Sequence, residues 1–187
     1  MTYQLPSIDI DGEIEESLNN VEKVIKDLND RRNKGLPEAL EKKINTHLQT
    51  LHVYNSNAIE GNQLSLRETE LVLESLSGDI VHGKYETEAI SLNKANDYLY
   101  DLISGKASLG RKSLLELHGL IMEGSDFERG EYRKGEVTIK NSDHKPPPPA
   151  LVESSVDELF QWINRSAHEY SPIVMATILH HWLTWIH

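Results

Sequence analysis

The stretch PIVMATILHHWLTWIH, residues 172–187, reads as a helix that is still in mid-course at His187. Pro172 suits the first helical position, where a fixed φ helps and a missing N–H costs nothing. Ile173, Ala176, Leu179, Leu183 and Ile186 recur at steps of three or four, the spacing of one helical face. No Gly, Asn or Pro follows to close the helix, although helices commonly end on such residues. A helix end bearing Trp182, Trp185 and Ile186 needs an apolar partner. Two expectations follow: it closes a bundle, or it lies inside a longer unit.

Working outward, the chain upstream is mostly helical. Asp11 is placed to cap a first helix, with Glu13, Glu15 and Glu16 in its opening turn and Arg31, Arg32 and Lys34 in its last, before Gly35. That charge order complements the helix dipole. Ile14, Leu18, Val21, Ile25 and Leu28 form its apolar stripe. Pro37 opens a second helix, with Leu40, Ile44, Leu48, Leu51 and Ala58 turned inward, and Gly61 stops it. Ser65 and Glu68 have the spacing of a capping box for a third helix ending near Ser77-Gly78. Helical periodicity returns over 85–104 (Ala89, Leu92, Leu99, Leu102, Ile103), 111–123 (Leu114, Leu115, His118, Ile121) and 151–167 (Val152, Val156, Leu159, Phe160, Ile163).

One segment breaks the helical pattern. GEYRKGEVTIKNSDHKPPPPA, residues 130–150, alternates briefly at Val137 and Ile139, turns polar, and then runs through four prolines. It reads as a short β-hairpin or flap followed by a rigid extended exit. The fold class is all-α: a helical bundle carrying this short β-hairpin flap.

Composition narrows the function. The chain has 187 residues, 38% hydrophobic and 6% aromatic, enough for a helical core. Its formal charge of -11 argues against general binding of nucleic acid or anionic membrane, since both need basic patches. There is no cysteine, which removes disulfides and thiol chemistry. The opening MTYQLPSIDIDGEIEE has neither a basic start nor an apolar run, so no signal peptide is expected. No stretch nears the ~20 apolar residues of a membrane span. A cytoplasmic protein is expected.

Three features have chemical potential, each beside a plainer reading. SNAIEG, residues 56–61, puts Ser56 and Glu60 four apart on one helix face, where they can act together. The plainer reading is a solvated helix end with a glycine stop. The flap edge offers unpaired backbone to an extended peptide, or is an ordinary surface loop. His180, His181 and His187 share the last helix, where a histidine on an apolar face is usually a satisfied core residue. Nothing near them has the spacing of a metal-ligand motif, so no metal ligand is assigned.

Taken in order, these pieces resemble the Fic (Fido) family, enzymes that transfer AMP from ATP to protein hydroxyls. NSNAIEGNQLS (55–65) resembles the family's inhibitory helix. GEYRKGEVTIKNSDHKPPPPALVESSVDELFQWIN (130–164) resembles its flap and the helix after it. PIVMATILHHWLTWIH (172–187) resembles the helix that delivers the signature His-x-Phe-x-Asp/Glu-Gly-Asn-Gly-Arg.

The resemblance implies a helical extension over 1–50 and the N-terminal part of a Fic domain over 51–187. Within the latter lie the inhibitory helix at 55–61, the flap at 130–149 and the signature-bearing helix at 172–187. His187 would be the first signature residue and the catalytic base, and the rest of the signature is expected to follow in a longer parent. Glu60, supported by Ser56, would be the inhibitory residue. Val137, Thr138, Ile139, Lys140 and His144 of the flap would bind nucleotide and target.

ATP is the implied donor, with Mg²⁺ held by a residue beyond this chain, and a target protein carrying a Ser, Thr or Tyr hydroxyl docks at the flap. A homodimer is an open option. The fragment alone is expected to be inactive, since it lacks the anion-binding loop. Three other readings stay open: AMP removal, transfer of another phospho-group such as phosphocholine, and a non-enzymatic peptide-binding helical module. Residues after His187 would discriminate among them.

Overall fold

A computed structural model describes residues 3, 8–35, 37–75, 83–124, 129–166 and 168–186. His187 therefore lies outside the described residues, as does the Ser77-Gly78 end expected for the third helix. The described residues contain seven helices: α1 Gly12–Asn33, α2 Glu38–Ile59, α3 Leu66–Glu74, α4 Lys84–Ile103, α5 Arg111–Ile121, α6 Pro149–Ser166 and α7 Pro172–Ile186. The chain divides into two compact units, Met1–Glu41 with Glu136–His187, and Lys42–Gly135.

Local sequence chemistry accounts for the helix starts in both units. In the first, the Asp11 side chain accepts the Ile14 amide at 2.9 Å, satisfying one of the donors that every helix N-terminus leaves open. Arg32 in the last turn of α1 reaches Glu41 on α2 through Nε and Nη2, an exposed pair of little energetic weight. In the second, Ser65 and Glu68 cap α3 reciprocally: Ser65 N donates to Glu68 Oε2 at 2.8 Å, and Glu68 N donates to Ser65 Oγ at 3.2 Å. Those bonds, first from the Ser65 hydroxyl and then from its amide, hold the Glu68 carboxyl below its ordinary pKa.

In the unit formed by 1–41 and 136–187, α6 packs on α7. Val152, Val156 and Leu159 of α6 are buried, Leu159 completely, along the face that periodicity predicts. On α7 the buried positions are Ile178, Trp182 and Ile186, whereas Ile173 and Ala176 are exposed. The inward face is thus rotated from the predicted one. Eleven of the fifteen residues of α7 are apolar, so periodicity alone does not mark which face is covered. None of the α1 residues is buried, and its apolar stripe stays about half exposed.

In the Lys42–Gly135 unit, α4 packs against α3 and α5. Of the predicted inward residues of α4, Ala89 is buried but Leu99 and Ile103 lie exposed, and Ile90, Ser91, Asn93, Ala95 and Asn96 are buried as well. Polar pairing explains the choice for Asn93: Gln49 Nε2 donates to Asn93 Oδ1 and to Asp97 Oδ1, both at 2.9 Å. A buried amide with a partner is inexpensive to bury, so residue type alone misplaces this face.

Candidate functional site

The Ser56–Glu60 stretch closes α2 in the Lys42–Gly135 unit. The Asn62 amide donates to Asn57 O at 3.0 Å, and the Gly61 amide to Ala58 O at 3.1 Å. Gly61 sits at φ 87°, the left-handed conformation. These paired bonds form a Schellman ending with Gly61 just past the cap, so Glu60 is the C-cap residue. The turn throws the Glu60 side chain clear: it is exposed and has no hydrogen-bond or ion-pair partner among the described residues. Ser56, one turn earlier, is half-buried.

Asn62 fixes the chain after this turn. Its Nδ2 donates to Tyr85 O at 3.0 Å and to Glu88 Oε2 at 2.8 Å, while its Oδ1 accepts the Leu64 amide at 3.0 Å. Sequence order puts Asn62 with Gly61 in the turn after Glu60 but does not show the partners it finds. The available signal was an Asn directly after a C′ glycine, a residue equipped to bond backbone on both sides of a turn.

The first part of the flap is anchored in the same unit. Gly130 N donates to His118 Nδ1 at 3.0 Å, so that nitrogen is the ring's acceptor. Gly130 has φ 70°, and a Cβ there would stand 3.2 Å from Leu115 O. Glycine is required by both conformation and space. His118 is a second anchor that periodicity, which placed it merely on an apolar face, did not identify.

The remainder of the flap lies in the other unit. Residues 136–139 belong to no helix or strand, and no strand is assigned among the described residues, so the expected hairpin alternation has no ladder of its own here. The physical reason is visible at the tip. The chain turns through Lys140-Asn141 with Asn141 at φ 62°, closed by Ser142 N donating to Ile139 O at 3.3 Å. It then enters prolines that cannot donate to a returning strand. Val137 and Ile139 are 39% and 40% exposed, and Thr138 and Lys140 are exposed as well. Pro146 and Pro147 are buried and hold the exit.

His144 ends the polar turn and is half-buried. Its Nε2 lies 3.0 Å from the carbonyl oxygen of Trp185, in the last turn of α7. A carbonyl only accepts, so Nε2 carries the proton. Within this unit, therefore, the flap and the end of α7 are joined. The predicted base His187 lies outside the described residues.

Among the described residues no group of three or more His, Asp or Glu converges in a metal-holding arrangement. The described residues do not furnish a Mg²⁺ site. No helix is long and apolar enough to cross a membrane, among the described residues.

Comparison with known proteins adds the family. Residues 108–187 match the Fic/DOC family model. A protein named Protein adenylyltransferase Fic from Nematostella vectensis is 31% identical over 142 residues, covering 73% of this chain and 32% of its own length. A protein of the same name from Drosophila virilis is 32% identical over 142 residues, covering 73% of this chain and 28% of its own. The chain thus spans about a third of the length of these relatives.

Among solved structures, a Fic family protein from Desulfovibrio desulfuricans superposes with a TM-score of 0.75 over 99% of this chain and 54% of that one, at 23% identity. Fic-1 from C. elegans superposes with a TM-score of 0.70 over 94% of this chain and 54% of that one, at 26% identity. The all-α bundle is therefore a Fic-type fold, and the sequence likeness agrees with it. On both grounds, this chain belongs to the Fic/DOC family.

Proposed function

We propose that the protein containing this chain is a protein adenylyltransferase, moving AMP from ATP to a Ser, Thr or Tyr hydroxyl of a target protein. The observation that carries the proposal is the 31% identity to a protein adenylyltransferase over 142 residues, a span long enough to include helix, flap and α7. In this reading residues 51–187 are the N-terminal part of the catalytic domain and 1–50 are an extension.

The chemistry asks for a base and for positioning. The target hydroxyl attacks the α-phosphorus, the bond to the pyrophosphate leaving group breaks, and His187 accepts the hydroxyl proton. Imidazole suits that step because its ordinary pKa lies near neutrality. Val137, Thr138, Ile139 and Lys140 are exposed and lie in no strand, which leaves their main chain to pair with a target segment. ATP is the nucleotide donor, and Mg²⁺ would be held by an acidic residue beyond His187. Cytoplasmic location and a homodimer are parts of the same reading.

Glu60 is the proposed brake, with Ser56 supporting its helix end. The exposed carboxylate at the Schellman turn is available to a guanidinium, and a bidentate pair of that kind competes directly with phosphate oxygens. Incubating the full-length protein with α-labelled ATP and Mg²⁺ tests this. Glu60→Gly is expected to raise labelling of the enzyme and its targets, and His187→Ala to abolish it. Unchanged labelling in Glu60→Gly removes the brake, and persistent labelling in His187→Ala removes the base.

A further inference from the structure

Tyr3, near the start of the chain, makes contacts that the proposed reaction does not use. Tyr3 is buried at 8% exposure, and its ring and hydroxyl meet His181, Trp182 and Trp185 in the last two turns of α7. Its ring stacks on Trp182 with centroids 4.2 Å apart at 17°, and meets Trp185 edge-on at 5.4 Å and 66°. Its hydroxyl lies 2.7 Å from His181 Nδ1. Stacked and edge-on ring pairs are favourable beyond the area they bury, and a buried Tyr hydroxyl needs a partner. On the same turns, His144 Nε2 holds the Trp185 carbonyl at 3.0 Å.

We infer that Tyr3 is a positioning residue for the transfer reaction: acting through His181 and Trp182, it fixes the end of α7 and hence the chain entering His187. This rests on the adenylyltransferase reading for its functional consequence, although the contact itself does not.

Packing buries Trp182 and Ile186 on one face of this turn, and His144 Nε2 takes the Trp185 carbonyl. Tyr3 adds two further contacts: its ring stacks on Trp182, and its hydroxyl meets His181, the adjacent residue. The two tethers, Tyr3 and His144, stand far apart in the sequence and converge within five residues, 181–185. His187 follows Ile186 directly, so a turn held in this way sets where the base begins. Misplacing a reacting group by about 1 Å lowers rates steeply, so the tether acts on kcat more than on nucleotide affinity.

The geometry also specifies the chemistry of the contact. If Tyr3 donates its hydroxyl proton to His181 Nδ1, then the neutral imidazole carries its proton on Nε2. Asn places an amide oxygen close to the position of Nδ1, so His181→Asn preserves an acceptor for Tyr3, whereas His181→Leu preserves only bulk.

The test uses the full-length protein and two independent readouts. The first is the imidazole nitrogen spectrum of ¹⁵N-labelled protein, with His181 assigned by its own substitution. Tyr3→Phe should leave the rings packed but shift the His181 Nδ1 resonance, and an unmoved resonance refutes the contact. The second is steady-state labelling with ATP. Tyr3→Phe should lower kcat about fivefold, the factor corresponding to one ordinary hydrogen bond, with KM for ATP changed less than about twofold. Tyr3→Leu should lower kcat further, and His181→Asn should recover activity that His181→Leu loses.

Unchanged kcat in Tyr3→Leu overturns the positioning role while leaving the enzyme reading intact. Losses that merely follow the melting temperature, with His181→Asn no better than His181→Leu, also overturn it in favour of plain packing. An inactive wild type overturns the adenylyltransferase reading and the positioning role with it, and the nitrogen spectrum still decides the contact.

Discussion

Asn62 is the residue whose removal should most disturb the turn that presents Glu60. Asn62→Ala deletes three hydrogen bonds, to Tyr85 O at 3.0 Å, to Glu88 Oε2 at 2.8 Å and from the Leu64 amide at 3.0 Å. Tyr85 and Leu64 are half-buried, so their groups lose a partner that water replaces only in part. Each such bond is worth about 1 kcal/mol net. The Glu88 side chain is 38% exposed and lies 3.7 Å from Lys84 Nζ, so its bond counts for less than a buried charge-assisted one.

The expected total for Asn62→Ala is about 2–3 kcal/mol. At a urea slope of about 2 kcal/mol per molar, the unfolding midpoint should fall by roughly 1 M. Asn62→Asp sharpens the test. It keeps an acceptor for the Leu64 amide but sets a carboxylate against Glu88, so it should be at least as destabilising near neutral pH and recover on acidification. The assays are urea unfolding and amide exchange at Leu64, whose protection should drop in Asn62→Ala and persist better in Asn62→Asp. A stability loss below about 0.5 kcal/mol with unchanged Leu64 exchange would refute this account of the turn, since three bonds together are worth more than that.

Three further outcomes are expected. Gly61→Ala should cost about 1–2 kcal/mol from its left-handed backbone alone, because a Cβ there meets nothing within 4 Å, and Gly61→Asn should cost less; urea midpoints of the two variants check the order. Leu159→Ala, at a position with 0% exposure, should cost about 3–4 kcal/mol and lower the thermal midpoint by about 10 °C, read by calorimetry. For Glu68 the folded pKa lies below its ordinary 4.5, so the stabilising contribution is complete above that value and disappears as pH falls through the lowered one. The difference in urea midpoint between wild type and Glu68→Gln should therefore be clear near neutral pH and vanish in acid, and a pH-independent difference would contradict the capping account.

Much of this protein is legible in residue order because short-range chemistry decides it. Asp11 and the Ser65/Glu68 pair mark helix starts, Gly35 and Gly61 mark helix ends, and each acts on backbone within a few positions. The proline run sets the extended exit of the flap in the same way. The order of the Ser56–Glu60 stretch, the flap and α7 is likewise a property of the sequence, and it carried the family resemblance that the comparisons show.

What tertiary structure alone decided is which face each helix buries and which distant residues meet. On α7 a mostly apolar helix offers several faces, and packing selects Ile178, Trp182 and Ile186. On α4 Asn93 goes inward because Gln49, 44 residues away, supplies its partner. Tyr3 and His181 stand 178 residues apart yet lie 2.7 Å from each other, a pairing that no periodicity encodes. The physical division is one of range: caps and turns are settled by neighbours along the chain, whereas burial and the tethering of α7 depend on elements brought together from far apart in sequence.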